Sequence, residues 1–213
     1  WKSPAIFRLT RYRMYNLPID SPGFYIYLRT ENGDRWSPTF RPCETPLDSW
    51  EARHRPGMTE FSALKNGIRS EVSYFIAPDH DTFVWDCTLS NTLSQPVHLD
   101  VFGYVEFSLH EWLREVQWGC YNKHQLKTLY DNELRSMLYL YHADNLPRHN
   151  DAPLVYFASN QPAASFEGDR DRFVGNYRYE QNPVAVERGK CENTRIEGGE
   201  PCAALHLKIT LAP

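Results

Sequence analysis

No apolar run in the chain approaches the roughly 20 residues that a membrane-spanning helix needs, so no such span is expected. The opening residues, WKSPAIFRLTRYR, contain no apolar segment of the signal-peptide kind. They begin with Trp1 rather than Met, which reads as mid-chain sequence. Cysteine is scarce and badly placed for cross-linking. There are five, Cys43, Cys87, Cys120, Cys191 and Cys202, an odd number at wide spacing with no CxxC. Neither a disulfide framework nor a zinc finger is expected from them, and a reduced cytoplasmic chain with single buried thiols fits better. An N-x-S/T sequon is also missing. Basic charge does not dominate: 23 Lys and Arg against 27 Asp and Glu give a net charge of −4. A sequence-wide footprint for nucleic acid is therefore absent. There is no P-loop, no G-x-G-x-x-G and no G-x-S-x-G, so phosphate-cradling loops and a nucleophile elbow have no support.

Helical periodicity is nearly absent as well, and what replaces it is alternation. In 83–89, Phe83, Trp85, Cys87 and Leu89 share one face. In 97–107, Val97, Leu99, Val101, Val105 and Phe107 oppose a half-polar face of His98, Asp100, Phe102, Tyr104 and Glu106. Near the end, Leu205, Leu207, Ile209 and Leu211 alternate with His206, Lys208 and Thr210. Such patterns predict antiparallel strands with one buried face. Asn32-Gly33 and Asn66-Gly67 each separate two strand-like runs and predict type I′ hairpins. Residues 90–96 form a third turn, and further strands are expected at 134–142 and 154–159. Residues 109–127 are expected to hold one short helix ending before Gly119, 143–153 a polar loop, and 161–200 a long, mostly irregular excursion packed on the sheets. About nine short strands in one domain describe a β-sandwich. Aromatic residues make up 14% of the 213, which excludes intrinsic disorder.

Catalytic chemistry is hard to find. The carboxylate pairs Asp79/Asp81 and Asp169/Asp171 read better as a turn and as locally compensated charges, since Arg170 and Arg172 alternate with the second pair. The eight histidines are scattered, without metal-ligand spacing. The conspicuous feature is aromatic residues among charges: Trp36, Trp50, Trp112, Trp118, Tyr121, Tyr177 and Tyr179. Flat rings with polar neighbours suit sugar binding; the same residues also suit a sandwich core with hydrogen-bonded tips. Composition alone favours the core.

Three stretches carry a family resemblance. The first is RLTRYRMYNLPIDSPGFYIYLRTENGDRWSPTF (8–40). The second is TPLDSWEARHRPGMTEF with NGIRSEVSYFIAPDHDTFVWDCTLSNT and VFGYVEFSL. The third is DRDRFVGNYRYEQNPVAVERGKCENT (169–194). In this order they resemble the N-terminal domain of the inverting disaccharide phosphorylases of glycoside hydrolase family 94, formerly glycosyltransferase family 36, of the cellobiose and N,N′-diacetylchitobiose type. The resemblance implies an all-β antiparallel super-sandwich, galactose-mutarotase-like, with one or two short helices. It implies a fragment that lacks the family's first strands and its downstream (α/α)6 barrel. The barrel supplies the catalytic acid and most of the phosphate site, so no catalytic residue, metal or cofactor is expected in these residues, and inorganic phosphate is a co-substrate of the complete hexosyltransferase-class enzyme.

The implied partners are the barrel, a second subunit in a homodimer and a β-linked disaccharide, with no nucleic acid and no membrane. In this family a loop after the VEFSL-like strand reaches the other subunit's active site. The matching segment is Glu111–His124, with Gln117, Trp118 and Tyr121 as substrate-loop candidates. Relatives place a Gln near the loop's tip, whereas Cys120 and Tyr121 stand there in this sequence, with Gln117 three residues before Cys120. The segment could equally fold its aromatics onto the sandwich. A free-standing carbohydrate-binding module and a purely structural dimerisation domain are the alternative functions.

Overall fold

The computed structural model describes Thr10 and residues 23–109, 116–118, 121, 123–141 and 154–213. Alternation builds the framework. A central five-stranded sheet has the order β11 (Ser165–Asp169), β12 (Pro201–Leu211), β7 (Val97–Val105), β1 (Phe24–Thr30), β2 (Arg35–Trp36). One layer over it contains two smaller sheets. The first is β3 (Ser49–Arg55), β4 (Met58–Lys65), β5 (Ile68–Ile76), β6 (Phe83–Asn91); the second is β10 (Leu154–Ala158), β9 (Ser136–Tyr141), β8 (Leu126–Asp131). Every pairing is antiparallel. The all-β super-sandwich expected from the sequence is thus what forms.

The period of two assigns the faces. Ile26 and Leu28 of β1 pair with Gly103 and Val101 of β7, which pair in turn with Leu205 and Leu207 of β12. These side chains meet Ile68, Val72 and Tyr74 of the four-stranded sheet. Further along the same face, Val105, Ala203 and Leu205 meet Leu126, Met137 and Tyr139 of the three-stranded sheet. The three sheets converge at Gly103. A Cβ there would lie 2.9 Å from Phe157 Cζ, and the Phe157 ring is 5.1 Å from that of Trp85. Glycine lets the Phe157 ring reach the central strand.

β7 and the first half of β12, expected to bury one face, bury two. Phe102, Tyr104 and Glu106 are fully buried, together with Tyr27, Cys202 and Ala204. The cover is the 161–200 excursion, which is more ordered than expected. It opens with β11 at the sheet edge and continues into α1 (Arg170–Phe173) and α2 (Val184–Arg188). Phe173 stacks on Tyr104 at 4.5 Å, and Val174, Ala185, Val186 and Cys191 complete the layer.

The two Asn-Gly turns differ. Asn66 and Gly67 have φ of 50° and 75°, as a type I′ turn demands. At Asn32-Gly33 only the glycine has positive φ, 93°. Gly33 N donates to Thr30 O, and Thr30 N to Asp34 O. This is a type I turn closed by a glycine bulge, not the expected type I′. Strand β9 starts at Ser136, two residues later than expected, because 132–135 form its turn. The polar loop expected at 143–153 lies outside the described residues.

Candidate functional site

Strand β7 carries the chain to one end of the sandwich. Leu109, 3% exposed and with φ of 56°, turns it away from the sheet, and Leu126 brings it back at the start of β8. Both leucines sit in the core cluster shared by the central and three-stranded sheets. Tyr139 Oη donates to Phe107 O (2.9 Å) beneath the first stem. Lys127 pairs with Glu197 (3.0 Å), and Thr128 N donates to Ile196 O, beside the second. A segment with two pinned stems presents whatever lies between them. Residues 116–118 are helical, in line with the short helix expected before Gly119, and Lys123–Gln125 form a 3-10 turn. Gln117 is exposed, Trp118 is 61% exposed and Tyr121 56% exposed. Residues 110–115, 119, 120 and 122, with Trp112 and Cys120 among them, lie outside the described residues.

The aromatic set divides cleanly. Trp36 is core. Trp50, Trp118, Tyr121, Tyr177 and Tyr179 are exposed, Tyr177 completely and at φ of 61°. Isolated exposed aromatics are unremarkable, but a pinned segment displaying two large rings and an amide suits recognition. At the same end of the sandwich, Phe24, paired with Val105, packs on Tyr74 and Phe83 (5.0 and 4.7 Å between ring centroids). Both rings also line a cleft of about 710 Å³ whose rim includes Trp50.

The strongest electrostatic features are buried and tie the cover to the central sheet. Arg170 donates from Nε to Glu106 Oε1 (3.1 Å) and from Nη2 to Glu180 Oε1 (2.7 Å), while Tyr104 Oη donates to Glu106 Oε1 (2.7 Å). One cation thus serves two carboxylates. Burial, helped by the neighbouring Glu106 charge and opposed by Arg170, raises the Glu180 carboxyl well above its ordinary range. The Arg170 guanidinium is opposed by its own burial, yet Glu106, Tyr104 and Glu180 hold its pKa above the usual value. Local compensation within 169–172 is not what forms. Asp169 caps α1 by accepting from Asp171 N (2.9 Å), Arg170 reaches inward, and Arg172 pairs with Glu192 (3.1 Å) at the surface.

A second buried array escaped the sequence reading. Ser165 Oγ lies 2.9 Å from His206 Nδ1, and His206 Nε2 lies 2.8 Å from Asp100 Oδ1. Asp100 Oδ2 accepts from Arg29 Nη1 (2.9 Å). The order Ser–His–Asp suggests a nucleophile, but Ser165 is 9% exposed and its oxygen already accepts Cys191 N–H (3.0 Å). With the ring proton on Nε2 facing Asp100, His206 Nδ1 accepts the serine hydroxyl in a hydrogen bond, and Ser165, His206 and Asp100 are each partnered. The array is therefore a strut joining the edge strand to the sheet centre. Its only signal in sequence is that Asp100 and His206 fall on the polar faces of their strands; Ser165 lies in the excursion expected to be irregular. Burial, with Asp100 opposing, lowers the His206 pKa.

Among the described residues no cluster of His, Cys, Asp or Glu could hold a metal ion, and no helix is long and apolar enough to cross a membrane. Cys43, Cys87, Cys191 and Cys202 are free thiols.

The sequence profile of the glycosyl hydrolase 94 supersandwich domain matches residues 1–213. N,N′-diacetylchitobiose phosphorylase of Vibrio furnissii is 35% identical over all of the chain, and that of Vibrio proteolyticus 33%. A 3-O-β-D-glucopyranosyl-β-D-glucuronide phosphorylase of Paenibacillus borealis is 28% identical over 95% of the chain. The chain spans 26% of the length of each of these relatives. Matched from end to end, and folded as the three packed sheets described above, the chain belongs to the glycosyl hydrolase 94 family as its supersandwich domain.

Proposed function

We propose that this chain is the non-catalytic, N-terminal domain of a cytoplasmic, homodimeric disaccharide phosphorylase, a hexosyltransferase that splits a β-linked disaccharide with inorganic phosphate and inverts the anomeric carbon. The observation that carries the reading is the match of the whole chain, at 35% and 33% identity, to a quarter of two diacetylchitobiose phosphorylases. In such a reaction a phosphate oxygen attacks the anomeric carbon as the glycosidic bond breaks. The leaving oxygen takes a proton from an acid on the opposite face, by analogy with inverting hydrolases. That acid is assigned to the remainder of the polypeptide, not to residues 1–213.

The domain's part is positioning. Phosphate, not water, must be the nucleophile, so water must be kept from the anomeric carbon while the sugar is held in line. The pinned segment around Gln117, Trp118 and Tyr121 is suited to this. The amide of Gln117 can donate to and accept from sugar hydroxyls, and the two exposed rings offer flat faces to a sugar's C–H surface. We assign these three residues to the substrate site of the opposite subunit.

The test is phosphate-dependent release of sugar 1-phosphate from cellobiose and from N,N′-diacetylchitobiose. The complete polypeptide is expected to give it with one of them, and residues 1–213 alone with neither. Sugar 1-phosphate from the isolated 213 residues, or none from the complete protein with any β-linked disaccharide, overturns the reading.

A further inference from the structure

The cleft at the loop end of the sandwich is lined from β1, the 39–41 turn, β3, β4, β5 and the start of β6. Its wall is a relay of rings. Phe40 lies 6.2 Å from Trp50, Trp50 6.3 Å from Phe61, and Phe61 5.9 Å from Tyr74. Two of these rings meet solvent at the rim, Trp50 being 48% and Phe40 38% exposed. Phe40 stands at φ of 68°, a left-handed conformation that a bulky side chain rarely adopts. It is held there by its N–H on Ser37 O (3.0 Å) and by Glu44 N on its carbonyl (2.9 Å). Strain of this kind persists where a ring must be aimed. Tyr74, in the wall, is 9% exposed, and its hydroxyl has no hydrogen-bond partner among the described residues.

We propose that this cleft binds a neutral β-linked saccharide, with one sugar ring stacked on Trp50. The chemistry of the lining selects that occupant. Each rim guanidinium already has a carboxylate: Arg41 lies 3.5 Å from Glu44, and Arg55 3.0 Å from Glu60. These carboxylates partly neutralise both rim cations, while the remaining N–H groups and the hydroxyls of Thr39 and Thr59 suit a polyol. Eight of the fifteen lining residues are aromatic and only Met58 and Ile76 are aliphatic, the balance expected for sugar faces and not for an apolar helix or peptide. The volume, about 710 Å³, is within the usual range of small-ligand clefts. The choice of saccharide over other polyols rests on the phosphorylase reading above.

Hydrogen–deuterium exchange of the complete protein, without phosphate, localises the answer. Cellobiose or N,N′-diacetylchitobiose is expected to slow exchange in peptides covering 38–60, with half-saturation raised by Trp50→Ala about two- to tenfold, the scale of one aromatic contact. Phe40→Ala serves as the second variant if Trp50→Ala lowers the melting temperature sharply. The proposal is overturned if neither sugar changes exchange in 38–60, whether because these peptides are already protected by another part of the protein or because sugar protects other peptides alone. It is equally overturned if protection survives both variants. Failure of the phosphorylase reading shows separately, as absence of sugar 1-phosphate.

Discussion

Among single residues, Arg170 ties the cover to the central sheet through Glu106 and Glu180, and its neighbour Arg172 supplies the control. Both belong to the same four-residue helix, yet Arg170 is 13% exposed between two buried carboxylates and Arg172 60% exposed beside one. Removing one member of a buried pair leaves uncompensated charge and costs about 3–5 kcal/mol, whereas an exposed pair contributes about 0–1 kcal/mol. Arg170→Ala is therefore expected to lower the melting temperature by many degrees and Arg172→Ala by little; thermal unfolding of the two variants checks this, and similar shifts would contradict it. Glu180 gives a pH signature. Its folded-state pKa is raised, so the stability tied to its proton is complete below the ordinary glutamate value of 4.5 and is lost as pH rises from there toward neutrality. In Glu180→Gln the side chain no longer titrates, so its melting temperature should fall less over that range than that of the unsubstituted chain. Parallel melting curves across pH would show that Glu180 ionises freely in the fold.

At the scale of elements, legibility followed the number of faces a strand shows to the core. β6, β7 and β12 alternate because the face between the central and smaller sheets is uniformly apolar, and each is apparent in sequence. β3 was not: SWEARHR lies at a sheet edge with almost every residue exposed, so it has no apolar face to display. β11 was hidden for the opposite reason. Its first four residues, Ser165–Gly168, are buried, and two of them, Ser165 and Glu167, are polar groups satisfied by His206, Cys191 and Glu192, which lie far away in sequence. Trp118 and Tyr121 stand out in sequence as aromatics in a segment singled out by the family resemblance, whereas the cleft does not, because six separate segments supply it. Gly103 shows the same dependence on tertiary context. It reads as a weak point in an apolar strand, yet the Phe157 ring occupies the space over it. Gly103→Ala is expected to destabilise the fold by about 1–3 kcal/mol through overpacking, measured by urea unfolding, and Phe157→Leu in the same chain should recover part of the loss. An unchanged or raised stability for Gly103→Ala would mean that the three sheets do not converge there as described.

For the whole molecule, the architecture separates support from display. Two core clusters hold the central sheet to its neighbours, and a third fastens the 170–191 cover over its other side. The buried Arg170 triad and the Ser165–His206–Asp100 strut lock that cover in place. The exposed rings at the loop end are not required for any of this packing. Trp118 and Tyr121 are exposed between the buried Leu109 and Leu126, as the recognition role proposed for them above requires. A display element of this kind should affect chemistry without affecting stability. On the proposal above that the complete protein is a dimeric disaccharide phosphorylase, the most direct measurement is kcat/KM for the disaccharide, with the melting temperature, for Gln117→Ala and Trp118→Ala. A fall of about tenfold or more, equivalent to about 1.4 kcal/mol of transition-state stabilisation, with an unchanged melting temperature, is the predicted result. Wild-type kinetics in both variants, with melting several degrees lower, would contradict the account and reduce the domain to a scaffold.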